Sequence, residues 1–290
     1  MAKGRELKGR IKSVESTRKI TRTMEMVATS KLKRAQDRVV AARPYARALA
    51  GVISDLYSPA LAESFPLLRQ PEHVRRAAVL LLTSNRGLAG AFNANLIREA
   101  RELLARLERE GAEIEFHVVG RKGLGYFRYI GRAIASSRTD LSDRPTAEDA
   151  TALVSAMMDD FTAGRLDAVY VVYAKYNSPL STPPTSERIL PVAPPAREQG
   201  RGIQRDYLLF PSAEAILSEL LPLYVRNAVY RALVETAAGE QGARRTAMKN
   251  ATDNAGEMLN VLRRTYNRAR QAQITQEIAE IVGGAEALKG

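Results

Sequence analysis

Beyond Pro222 the chain carries 68 residues without another proline, and a single helix of that length would span roughly 100 Å at 1.5 Å per residue. Few compact domains accommodate such an element, so it constrains the whole architecture. Its apolar positions are small and frequent: Ala237, Ala238, Ala243, Ala247, Ala251 and Ala255, then Met258, Leu259, Leu262, Tyr266 and Ala269. Small residues on one stripe let a second helix approach closely. Pro222 itself predicts a kink or a break.

A partner is present at the other end. Residues 3–57 contain one proline, Pro44, and repeat apolar positions every 3.5 residues: Leu7, Ile11, Val14, then Leu32, Ala35, Val39, Ala42, Ala46, Leu49, Ile53 and Leu56. Between these stretches Arg18 and Glu25 occupy the stripe, and Ile20, Met24 and Val27 lie one position aside, which predicts a local register change. A sustained heptad argues for a coiled-coil seam. An amphipathic helix lying on its own domain rarely runs beyond about 25 residues without caps. The two ends are therefore predicted to pair antiparallel as a rod.

The middle has another texture. A Pro-bearing linker starts near residue 58, and strands then alternate with helices. Strands are predicted at 77–84, 113–120, 166–179 and 187–193. Helices are predicted at 93–111, 121–131 and 146–164, the last capped by Thr146 and stopped by Gly164. The pattern is α/β with a mostly parallel sheet in three layers, a Rossmann-like arrangement. The predicted organisation is a helix over 1–57, an α/β domain over 58–211 and a helix over 212–290.

Chemistry is sparse. Without cysteine there is no disulfide, thiolate metal site or Cys nucleophile. His73 sits among charged residues and His117 on a predicted strand, neither at metal-ligand or triad spacing. Asp159/Asp160 and Glu148/Asp149 read as a solvated helix face. The segment 83–93, TSNRGLAGAFN, joins a strand to a helix as phosphate loops do, but it has neither a P-loop nor a dinucleotide spacing, and no lysine is placed to reach over it. A tight turn explains its glycines.

Of the net charge of +12, residues 1–50 carry +10, from 14 Lys/Arg against 4 Asp/Glu. Such an arm fits nucleic acid, an anionic membrane or an acidic protein partner. It lacks an aromatic before Tyr45, which argues against nucleic acid. No run of eighteen apolar residues predicts a membrane span, and the N-terminus lacks the apolar core of a signal peptide.

Segments 15–46 and 251–288 resemble the two terminal helices of the gamma subunit of F-type ATP synthases. TSNRGLAGAFN resembles that family's TSDRGLCGGFN turn, with Asn85, Ala89 and Ala91 as departures. The resemblance covers essentially the whole chain. It implies a non-catalytic rotor shaft, needing no cofactor or metal and binding no small-molecule substrate. Such a shaft turns inside a hexamer of α and β subunits, with the epsilon subunit and the membrane c ring at its foot. Proton flow drives it, and ATP chemistry stays in β. The resemblance also assigns ring contacts to Lys19, Arg22, Met24, Arg270, Gln271, Thr275 and Glu277, and foot contacts to Asp206 and Tyr207. Phe210 replaces the polar residue expected before Pro211. Lacking the chloroplast redox insertion and a presequence, the chain is expected on the cytoplasmic face of a bacterial plasma membrane.

Overall fold

The computed structural model describes residues 2–57, 64–193 and 212–287. In chain order the elements are α1 (Ala2–Leu56), a 3-10 turn (Pro66–Leu68), β1 (Arg76–Leu82), α2 (Phe92–Arg109), β2 (Glu113–Val119), α3 (Arg121–Tyr129), β3 (Ser136–Arg138), α4 (Ala147–Thr162), β4 (Ala168–Ala174), β5 (Pro184–Leu190) and α5 (Ala213–Ala287). They form two compact units, one of Met1–Thr29 with Arg244–Gly290, the other of Ser30–Ala243. Each long helix contributes to both.

In the Ser30–Ala243 unit, the described residues form a sheet of five strands in the order β3-β2-β1-β4-β5. β1 lies at the centre, parallel to β2 and β4, while β3 runs parallel to β2 and β5 antiparallel to β4. The burial of β1 explains its unbroken apolar sequence: every residue from Ala77 to Leu82 is buried, because helices cover both faces. Alternate side chains divide between two cores. Ala77, Val79 and Leu81 pack with Leu96, Ala100, Leu103 and Leu107 of α2 and Phe127 of α3. Ala78, Leu80 and Leu82 face Val154, Met157 and Phe161 of α4, together with Leu49 and Ile53 of α1 and Leu221, Val225 and Val229 of α5. The three layers are as the residue pattern predicts.

Most local signals have their structural counterparts. Thr146 and Asp149 form a reciprocal capping box at the start of α4. Gly111 and Gly164, just past α2 and α4, both adopt positive φ. Three strands differ from expectation: β4 spans Ala168–Ala174, shorter than the 166–179 predicted. β3 is three residues of polar sequence, Ser136–Arg138, and has no hydrophobic alternation to announce it; pairing with β2 alone makes it a strand. β5 begins at Pro184, three residues earlier than predicted, since a tight turn at 178–181 brings Pro184 opposite Ala174. Proline is tolerated there as the first residue of an edge strand.

Helix α5 passes through Pro222 unbroken. Leu217, Leu221 and Val225 are fully buried on either side of it, so packing holds the turn that proline weakens.

In the other unit the two helices run antiparallel. Thr21 meets Thr252, Arg18 lies across Gly256, and Glu15 pairs with Arg263 at 2.5 Å. Between Arg5 and Thr29, α1 is buried or half-buried at Leu7, Ile11, Val14, Thr21 and Ala28, and half-buried also at Glu15, Met24 and Glu25. Leu7, Ile11, Val14, Thr21 and Ala28 fit one unshifted heptad series, in which exposed Arg18 and half-buried Glu25 fill the remaining places. Of the three residues expected to shift into the seam only Met24 is half-buried; Ile20 is 60% and Val27 51% exposed, so the register stays with the heptad. The seam accepts polar residues because its partners accommodate them, Gly256 by leaving room for a guanidinium and Thr252 by hydrogen bonding. On α5 the stripe is Met248, Thr252, Ala255 and Leu259, followed by half-buried Leu262, Tyr266, Ala269 and Gln273. Met258 lies off it, 54% exposed. From Ile274 to Ala285 every residue is exposed.

Candidate functional site

The strand-to-helix turn after β1 is built to close on itself. It is tied to the neighbouring β2–α3 connection, whose helix-opening N–H groups bond to it. Arg121 N–H donates to Asn85 Oδ1 (3.1 Å), Lys122 N–H to the Ser84 carbonyl (3.2 Å) and Gly123 N–H to Thr83 Oγ1 (3.0 Å). The Ser84 N–H donates to Asn93 Oδ1 at 3.0 Å. Gly120, at φ 96°, is required because a Cβ there would sit 2.2 Å from the Thr83 carbonyl oxygen. Contrary to expectation, a lysine does lie over the turn: a Cβ at Gly87 would come 3.5 Å from Lys122 Cε. It comes from the neighbouring strand-helix connection, which no local motif reveals.

Beside this turn is a cleft of about 650 Å³, lined by residues including Asn85, Arg86, Arg121, Asp140, Asp143 and Glu240. Its acids are engaged within the chain. Arg138 holds Asp140 bidentately at 2.7 and 2.6 Å, which keeps that carboxyl at about 2, and Lys31 pairs with Asp143. The acidic pairs of α4 are likewise structural. Asp149 caps its helix and Asp160 binds Arg165. His73 is exposed. His117 is half-buried, its Nδ1 2.7 Å from Ser136 Oγ, and burial lowers its pKa.

The residues assigned to partner contact lie in the antiparallel helix pair. Lys19, Arg22, Arg270, Gln271, Thr275 and Glu277 are exposed and Met24 is half-buried. They form two bands and not one cluster. Thr21 lies opposite Thr252, so the Lys19–Met24 band is about 18 residues, or some 27 Å, along the helix from Arg270. Thr275 donates to the Gln271 carbonyl (3.0 Å), and Glu277 accepts from Gln273 (2.8 Å). Among the described residues no partner engages the side chains of Arg270, Gln271, Lys19 or Arg22. Asp206, Tyr207 and Phe210 lie outside the described residues.

Two apolar features beside these bands are not evident from residue spacing. Ile20, Met26 and Val27 face solvent next to Lys19 and Arg22, although a shifted register would draw Ile20 and Val27 into the seam. Ile274, Ile278 and Ile281 form an exposed face at i, i+4 and i+7, beginning where α1 can no longer cover α5. Their spacing is legible in the chain, whereas their exposure is not.

Comparison with known proteins agrees with this architecture. The family model described as ATP synthase matches residues 3–288. The ATP synthase gamma chain of Gemmatimonas aurantiaca is 68% identical over 290 residues, covering all of both chains. That of Moorella thermoacetica is 47% identical over 289 residues, again covering both fully. Among solved structures, a chain of the Euglena gracilis mitochondrial ATP synthase rotor is similar with a TM-score of 0.67 at 20% identity, covering 94% of this chain and 99% of that one. A chain of the Tetrahymena thermophila central stalk and c ring gives 0.61 at 23% identity, covering 80% and 99%. At those identities the two structures speak to the fold. The full-length matches to curated relatives show that this chain belongs to the ATP synthase gamma-chain family.

Proposed function

We propose that this chain is the non-catalytic central rotor shaft of a rotary ATP synthase. It turns inside the hexamer of α and β subunits and couples proton flow through the c ring to ATP synthesis or hydrolysis in β. The observation that carries the reading is the C-terminal helix. It has 75 residues, is paired antiparallel with α1, and ends in a stretch, Ile274 to Ala285, in which every residue is exposed. A single asymmetric helix pair placed among three chemically identical sites touches each differently, and differential contact is what biases their conformations.

In this reading Arg270 and Gln271 bond to β, the Arg guanidinium offering five donors suited to charge-assisted contacts. Thr275 and Glu277 flank them. Met24, with Lys19 and Arg22, meets an acidic segment of β, an attraction that weakens with salt. Asp206 and Tyr207 serve the foot, near the epsilon subunit and c ring. The boundaries that go with it are a helix to residue 57, the foot domain over 58–211 and the long helix from 212. Among the described residues no helix is long and apolar enough to cross a membrane. Partners hold the chain at the cytoplasmic face of the plasma membrane.

The test is association and reconstitution. Tagged chain should retain α and β subunits, restore coupled ATPase when mixed with them, and show no ATP turnover alone. Failure to bind α and β, or turnover by the chain alone, would overturn the reading.

A further inference from the structure

Tyr176, two residues beyond the end of β4, is gripped at three points by two different helices. Its N–H donates to Glu235 Oε2 of α5 at 2.8 Å. Its carbonyl accepts from Arg43 Nη2 of α1 at 3.1 Å, and its hydroxyl accepts from Gln36 Nε2 of α1 at 2.6 Å. The ring is buried, as is Glu235. A second tie lies one strand over. Arg231 of α5 donates to both oxygens of Glu187 on β5, at 2.9 and 3.1 Å, and the Tyr173 hydroxyl donates to the same carboxylate at 2.7 Å.

The helix also touches the sheet through its backbone. A Cβ at Gly239 would come 3.2 Å from Ala174 Cβ and 3.3 Å from Thr182 Cβ, and one at Gly242 would come 2.9 Å from the Pro179 carbonyl oxygen. Two glycines three apart thus set α5 directly on the turn joining β4 to β5. All of these residues belong to the Ser30–Ala243 unit.

Apolar packing resists separation but has no preferred direction, so it does little to fix the angle between two bodies. Charge-assisted hydrogen bonds do fix it, and they are stronger where water is scarce. Gripping one residue from both helices also locks those helices to each other. We infer that Tyr176, Glu187 and their helical partners form a torsional key, which holds the paired helices at a fixed angle to the sheet so that rotation of one is passed to the other without slack. This rests on the shaft reading above. The cluster is a positioning device and touches no nucleotide.

The experiment uses the assembled complex of this chain with α and β, the hexamer fixed to a surface. The chain has no cysteine, so Tyr129→Cys, at a position 88% exposed, gives one attachment point for a bead on the sheet domain. With the motor stalled by scarce ATP, the spread of bead angles reports torsional stiffness. Arg43→Met with Glu235→Gln should widen the angular variance about twofold, since the first removes the donor to the Tyr176 carbonyl and the second removes the charge that strengthens the bond from its N–H. Arg165→Gln, which cuts an ion pair on α4 away from the joint, should leave it unchanged. If the double variant does not assemble, Glu187→Gln, which keeps the side-chain shape, takes its place in the same measurement. Unchanged variance, or equal widening by Arg165→Gln, overturns the key while leaving the shaft reading intact. A bead that never rotates on the otherwise unaltered chain overturns both.

Discussion

The Thr252 hydroxyl lies 2.8 Å from that of Thr21, both buried in the seam between antiparallel helices. Each also reaches a carbonyl of its own helix, Met248 for Thr252 and Arg18 for Thr21. The pair marks where a polar residue occupies a heptad position at little cost, because each hydroxyl's single proton has an acceptor, its neighbour's oxygen or a carbonyl of its own helix. Thr252→Val should destabilise by about 1 kcal/mol, whereas Thr21→Val with Thr252→Val should be nearly neutral, since both partners leave together. A double-mutant cycle on urea unfolding measures the difference. Strictly additive losses would show that the hydroxyls do not interact.

Glycine substitutions should divide by environment. Gly242→Ala places a methyl 2.9 Å from the Pro179 carbonyl and should destabilise by about 1–3 kcal/mol. Gly51→Ala meets nothing within 4 Å and should stabilise by about 0.5–1 kcal/mol, as alanine does in a helix interior. Thermal midpoints of the two variants should move in opposite directions; movement in the same direction would refute the close approach of α5 to the turn.

The exposed side chains of Arg270 and Gln271 have no partner inside the chain among the described residues, so their truncation should not reach its stability. Arg270→Ala with Gln271→Ala should leave the unfolding midpoint of the chain within about 0.5 kcal/mol, as exposed substitutions do. Turnover of the assembled complex should fall. Steady-state ATPase of the reconstituted complex checks this, and unaltered turnover would remove the contact assignment.

His117 gives a pH dependence of known sign. Burial lowers its folded pKa below the ordinary value of 6.5, although Asp160 pulls the other way. Above 6.5 neither state is charged at this residue and it contributes no slope. As pH falls through 6.5 the unfolded chain takes a proton that the folded chain refuses, so stability drops until the folded pKa is passed. Glu235 acts oppositely, its carboxyl raised chiefly by burial, so protonation favours the folded state as pH falls through that raised value. The difference between the parent chain and His117→Gln isolates the histidine. Between about pH 7 and 5.5, on either side of the ordinary histidine value, the parent's unfolding midpoint should fall more than the variant's. Parallel curves would exclude His117 as the source.

The sequence by itself determined the two long helices, the α/β alternation between them and the family. Those features are periodic or local: heptads in residues 3–57, an unbroken apolar run in β1, a capping box at Thr146. Each is encoded by neighbours within a few turns. What tertiary structure decided are the places where a residue's partner is far away in the chain. The seam keeps its register through Arg18 only because Gly256 leaves space opposite it, and no pattern near Arg18 announces that. Ser136–Arg138 becomes a strand only by pairing with β2. The grip on Tyr176 joins residues from positions 36, 43 and 235, brought together by folding alone. Hydrophobic periodicity is a local code, whereas hydrogen-bond satisfaction and close backbone approach depend on coordinates, and they settled how the helices meet the sheet.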